Sequence, residues 1–172
     1  MNPRSADFDD GDLVAAYEHM RSVARRRLHS VGPQSIQATD LVNDAYLRLH
    51  DRGHVPESRS DLIRLTAWAM RDVLVDRARE KSAQKRGSDW TRVNWESAAT
   101  VAAHHPDEFL VLDRALQKLQ QELPDLADVV QLKFYAGLTG DETAQVLGVS
   151  PTTVDRRWTA ARAWLHRQVV ED

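Results

Sequence analysis

Apolar residues recur along this chain at three- and four-residue intervals and show no useful stretch of strict alternation, a pattern of helices that each bury one face. Leu13, Tyr17, Met20, Ala24 and Leu28 predict a first helix over about Asp9 to His29, ending before Gly32-Pro33. A second is predicted from about Thr39 to Asp51, burying Leu41, Val42, Ala45, Tyr46 and Leu49. Gly53 to Ser60, with Pro56, reads as a loop, and a long third helix is predicted from Asp61 toward Arg86. Gly87 to Pro106 loses the apolar period and is read as a linker, because compact domains rarely hold twenty structureless residues. Beyond it, Leu112, Ala115, Leu116 and Leu119 mark a fourth helix from Asp107 to about Leu123-Pro124, and Leu126 to Tyr135 a fifth, closed by Gly137. The expectation is an all-α chain of two small helical domains, 8–86 and 107–170, joined by a flexible linker, 87–106.

The last stretch has the most specific local signals. Thr139-Gly140-Asp141-Glu142 fits a capping box, in which threonine and glutamate side chains satisfy each other's free backbone amides. Gly148 suits a tight turn, and Ser150-Pro151 restarts a helix with serine as cap and proline at the first helical position. Two short helices joined in this way form a helix-turn-helix. On the second, Val154, Trp158, Ala161 and Leu165 share a core face. Thr152, Arg156, Thr159 and Ala163 lie opposite, with Asp155 and Ala160 at the margins, and suit base edges in a major groove. Arg157, Arg162 and Arg167 flank them and suit phosphates.

Composition narrows the classes. The 172 residues, 42% of them hydrophobic, suffice for one ordinary domain or two small ones. No apolar run approaches the ~18 residues of a membrane-spanning helix, and Met1 to Asp12 is polar and acidic, so a cytoplasmic chain is expected. With no cysteine, and seven histidines at spacings that suit no metal, neither a metal nor a cofactor is expected; His104-His105 is the nearest approach to a ligand pair. No constellation suggests catalysis, so the chain is read as a non-enzyme. The net charge of −3 hides segregation by segment. Arg71 to Arg86 holds six basic and three acidic residues, Val154 to Arg167 four arginines and one aspartate, and Gly87 to Glu108 one arginine and four acids.

The N-terminal half adds two further faces. Asp40, Asn43, Asp44 and Asp51 surround Leu47 on the outer side of the second helix, as in a small contact aimed at a basic protein, although a solvated face with one stray leucine fits equally well. On the third helix Arg64, Trp68, Arg71, Arg79 and Arg86 fall within a sector of about 80°. Arginine holds backbone phosphates and tryptophan stacks on unpaired bases, which suits single-stranded or melting DNA; for Trp68 alone a half-buried packing role is an equal alternative.

Three blocks resemble the extracytoplasmic-function (ECF) sigma factors. Ala38 to Leu49 looks like their region 2.2, Ala69 to Arg79 is similar to regions 2.3 and 2.4, and Leu147 to Val154 with Arg156-Arg157-Trp158 and Ala161 to Leu165 resembles region 4.2 of the ECF-like branch. The resemblance implies a sigma factor that binds core RNA polymerase and promoter DNA, as a monomer within that complex. Asp40, Asn43, Asp44, Leu47 and Asp51 would dock on the polymerase clamp. The loop Gly53 to Ser60 and the third helix, with Arg64, Trp68, Arg71, Arg79 and Arg86, would hold the melted minus-ten element. Thr152, Thr153, Asp155, Arg156, Arg157, Thr159 and Arg162 would read the minus-thirty-five element, and the linker would thread toward the RNA exit channel. Many relatives have a basic residue at the place of Asp155, where aspartate could accept from a cytosine amine.

Thr39 stands where many relatives have an acid. Its simplest role is a helix N-cap; phosphorylation there would add the missing charge. The chain ends within five residues of Arg167, so control is expected from outside, by an anti-sigma protein, a Ser/Thr kinase or expression level. The rival readings are a promoter-binding regulator that never replaces the polymerase's own sigma subunit, and an interaction module that sequesters a partner.

Overall fold

The computed structural model describes residues 10–28, 38–53, 56–84, 95 and 98–171, and every element among them is helical. Helices α1 (Asp10–Leu28), α2 (Ala38–Asp51) and α3 (Arg59–Gln84) agree with the first three expected helices to within two residues at each end. The α3 start has a signal that the loop reading missed. Ser58 Oγ accepts the Asp61 amide at 3.1 Å while Asp61 Oδ2 accepts the Glu57 amide at 3.0 Å, so two amides at the helix entrance are satisfied locally. Thr39 is the second residue of α2, not the residue before it; the helix starts one position earlier than expected, which leaves Thr39 half-buried in the first turn instead of capping it.

Helix α4 (Ala98–His104) lies inside the segment read as a linker. Its apolar period consists of small residues, and Ala98, Val101 and Ala102 are buried, at the i, i+3, i+4 spacing of one helix face. Alanine is the best helix former, so a run too small to register as a core stripe still folds. Helix α5 (Pro106–Glu122) follows at once, and the expected fifth helix is α6 (Pro124–Val130) continued by a π-helical turn (Gln131–Tyr135). Helices α7 (Gly140–Leu147) and α8 (Pro151–Glu171) form the helix-turn-helix.

The two halves share apolar packing. One continuous cluster of buried residues includes Met20, Leu41, Met70 and Leu74 from the N-terminal half and Phe109, Leu116, Leu132 and Leu165 from the C-terminal half. Helix α3 is the hinge of this arrangement, since it packs against α1 and α2 on one side and against α4, α5, the π turn and α7 on others. A second small cluster, Val129, Ala144 and Val154, holds the helix-turn-helix onto α6. No helix among the described residues is long and apolar enough to cross a membrane.

Candidate nucleic-acid interface

The helix-turn-helix is built by the local interactions its sequence predicts. Thr139 Oγ1 accepts the Glu142 amide at 3.2 Å and Glu142 Oε2 accepts the Thr139 amide at 2.8 Å, completing the capping box. Gly148 closes α7 in the left-handed region, at φ 64°, where a side chain would be strained. Ser150 Oγ then accepts the Thr153 amide at 3.1 Å and caps α8.

The orientation of α8 follows. Val154, Ala161 and Leu165 are fully buried, and Trp158 is half-buried, edge-on to Trp95 with ring centres 5.9 Å apart. Thr152, Asp155, Arg156, Thr159, Ala160 and Ala163 form the exposed side. Thr153 is half-buried beside Ser150, and Thr159 Oγ1 donates to the Asp155 carbonyl at 2.9 Å. The flanking arginines differ from one another. Arg162 is exposed, with its guanidinium 5.9 Å from the centre of the Trp158 ring, and Arg167 is exposed as well. Arg157 is instead drawn back to Asp125 of α6, 2.6 Å away, an ion pair the periodicity did not signal.

On α2, Asp40, Asn43 and Asp51 are exposed around Leu47, which is itself 57% exposed. Asp44 is half-buried and bound to Arg77 at 2.7 Å, and the Asn43 amide oxygen accepts the Tyr17 hydroxyl. Arg48–Asp76 at 2.8 Å and, from the turn just after α2, Arg52–Asp72 at 2.7 Å complete three ion pairs to α3. Part of the positive charge counted between Arg71 and Arg86 is therefore used to hold α3 onto α2.

The α3 stripe divides along its length. Arg79 is exposed, and Arg86 lies outside the described residues. Arg64 reaches Asp128 of α6 at 3.1 Å. Trp68 is half-buried, with the Arg71 guanidinium 5.6 Å from its ring centre. Arg71 itself is 12% exposed and forks onto Asp113 of α5, Nε at 2.6 Å and Nη2 at 2.8 Å, while Asp113 is only 4% exposed. The Tyr135 hydroxyl donates to the same carboxylate at 3.0 Å and the Gln117 amide at 3.1 Å. Burial opposes the charge on Arg71, but the hydrogen bond and charge of Asp113, with Tyr135 and Asp72, outweigh it and raise its pKa. Burial and the neighbouring Asp113 carboxylate push the Tyr135 phenol well above its ordinary range, so it remains a donor.

Asp113, Tyr135 and Asp128 were missed from sequence. Asp113 had a signal: it lies among Phe109, Leu112 and Leu116 on a helix that buries all three, and an acid there needs a buried partner. Among the described residues no cluster of three or more metal-ligating side chains is placed to hold an ion.

The family model for ECF sigma factors matches residues 5–171. No curated protein and no solved structure matches the chain. With a match along nearly its whole length, this chain belongs to the ECF sigma factor family, the proteins through which RNA polymerase initiates transcription at specific promoters.

Proposed function

We propose that this sigma factor divides promoter reading between its two halves, with residues 8–86 as region 2 and 107–170 as region 4. The observation that carries the reading is the orientation of α8: its apolar side is buried while Thr152, Asp155, Arg156 and Thr159 face solvent together, as a major-groove reader requires. Region 4 then reads the minus-thirty-five element, with Arg162 and Arg167 on flanking phosphates. The α2 face around Leu47, with Asp40, Asn43 and Asp51, docks on a basic surface of core polymerase. An apolar centre ringed by acids gives such a contact both affinity and direction. The α3 stripe holds the melted minus-ten strand.

The protein works in the cytoplasm, has no catalytic step of its own, and is controlled by an anti-sigma protein, a Ser/Thr kinase or its expression level. A kinase would act at Thr39. In the first turn of α2 a phosphate meets the positive end of the helix dipole and extends the acidic face. Core binding by Thr39→Glu that is no tighter than by Thr39→Ala would remove this part of the reading.

Run-off transcription with purified core polymerase tests the whole. The chain should confer specific initiation; Leu47→Asp should abolish it by preventing core binding, and Arg156→Ala should weaken it while core binding persists. No core binding and no initiation by the unmodified chain would refute the sigma reading.

A further inference from the structure

Lys133 comes from the π-helical turn before the helix-turn-helix, yet its ammonium ends beside α8. Its Nζ lies 5.4 Å from the centre of the Trp158 ring, a cation–π contact, and 3.7 Å from the point that a Cβ on Gly140 would occupy. Asp155 Oδ1 lies 3.7 Å from that same point. Asp155 and Trp158 are three residues apart on α8 and so share a side of it. The ammonium therefore stands where α8 meets the first turn of α7, with the indole and the carboxylate as its neighbours. Gly140, the first residue of α7, leaves the space in which the two charges converge.

The two charges differ in freedom. Lys133 is half-buried with its ammonium held at an aromatic ring, whereas Asp155 is exposed on the side of α8 that carries Thr152, Arg156 and Thr159. An acid on such a face is repelled by strand phosphates unless a cation offsets it. Resting on the reading of α8 as the minus-thirty-five reader, we propose that Lys133 is a positioning residue for Asp155, fixing its carboxylate as the acceptor that selects cytosine at one position of that element. Cytosine presents its N4 amine in the major groove, the match for a carboxylate. Adenine has an amine too, but its N7 acceptor sits beside it and repels an acid, while guanine and thymine present acceptors without a donor. Lys133 draws the carboxylate toward the entrance of α7, so that less orientational freedom is lost when the base is bound.

The test is enrichment from promoter DNA randomised across the minus-thirty-five element, using holoenzyme assembled from core polymerase and each variant. With the unmodified chain, one position should favour cytosine by about tenfold, the value of one good base contact. Lys133→Gln should cut that preference several-fold and leave the other positions as they were. Lys133→Arg, which keeps the charge, should retain it. Asp155→Asn should move the same position toward adenine, whose N6 and N7 suit an amide, and adding Lys133→Gln to it should change nothing further there. Lys118→Gln, the same charge change at an exposed position of α5, should leave the cytosine preference intact. If circular dichroism shows Lys133→Gln to be unfolded, Lys133→Met, which keeps an apolar stem against Trp158, takes its place. Equal weakening of every sequence, with the salt dependence reduced by about one phosphate contact, would make Lys133 a backbone contact and overturn the proposal. So would a cytosine preference that survives loss of the Lys133 charge or survives Asp155→Asn. Failure of the sigma reading looks different: the unmodified holoenzyme then enriches no sequence and initiates nothing in the run-off assay.

Discussion

Two helices of this protein carry arginine-rich faces, and they differ in what those arginines touch. On α8, Arg156, Arg162 and Arg167 face solvent and only Arg157 is engaged by an acid, Asp125 of α6. On α3, Arg64 and Arg71 are both held by acids of the other half, and Arg77 by Asp44 of α2. The difference comes from position in the fold. Helix α8 lies against α5, α6 and α7 on one side only, whereas α3 packs against α1 and α2 and also against α4, α5, the π turn and α7, an arrangement that encloses Arg71 and leaves Arg64 and Arg79 exposed. An arginine on a helix that is covered from several directions acquires a carboxylate partner or remains expensively unpaired.

The largest expected effect tests that enclosure. Asp113→Ala leaves Arg71 buried without its partner, and breaking such a pair costs about 3–5 kcal/mol. Urea unfolding should show one transition for the unmodified chain, since the halves share a core, and an earlier or divided transition for the variant. An unchanged midpoint would mean that α3 is no more enclosed than α8. Arg156→Ala should behave in the opposite way. Its stability should stay within about 0.5 kcal/mol of the unmodified chain. Promoter affinity, read by fluorescence anisotropy at fixed salt, should fall by about 1–3 kcal/mol.

A smaller effect isolates the hydroxyl of Tyr135. Its phenol is held protonated in the fold by burial and by the Asp113 carboxylate, so its pKa in the folded chain exceeds that of the unfolded chain. The stabilisation is complete below the ordinary tyrosine value of about 10. As pH rises past that point the unfolded chain ionises first, the native state binds more protons, and stability declines. Tyr135→Phe keeps the buried ring but loses the hydrogen bond, at a cost of about 1 kcal/mol at neutral pH. The variant should also lose this component of the alkaline slope in chemical denaturation measured at a series of pH values.

These contrasts show what was legible in the sequence. Apolar period located α1, α2 and α3, and capping residues located α7 and α8, because those signals are local, and the α8 wheel separated buried Val154, Ala161 and Leu165 from exposed Arg156 and Thr159. The same wheel grouped Arg64, Trp68 and Arg71 on one side of α3, but it could not say what faces them, because Asp113 and Asp128 are more than forty residues away in the chain. Helix α4 escaped notice for a different reason: its buried side is made of Ala98, Val101 and Ala102, too small to stand out as a stripe.

The smallest expected change separates geometry from energy at the edge of the covered surface. Arg64 and Asp128 are 3.1 Å apart, which invites the view that they stabilise the fold. The balance at Asp128 is otherwise. Burial raises its pKa, the attraction of Arg64 lowers it, repulsion from Asp125 raises it and Arg157 lowers it, and the net result lies above the ordinary carboxylate value. The folded chain thus holds this proton more tightly than the unfolded chain does. Stability associated with Asp128 declines as pH rises through the carboxylate range and is at its lowest near neutrality. Asp128→Asn should therefore leave the urea midpoint unchanged or slightly raised at neutral pH, within about 0.5 kcal/mol. It should also free Arg64 for another anion. A clear loss of stability would show that the attraction of Arg64 outweighs burial, and would place this pair with Arg71–Asp113 as a structural bond. A neutral result leaves Arg71–Asp113 as the bond that holds the halves together and Arg64–Asp128 as a half-exposed contact that adds nothing to the fold.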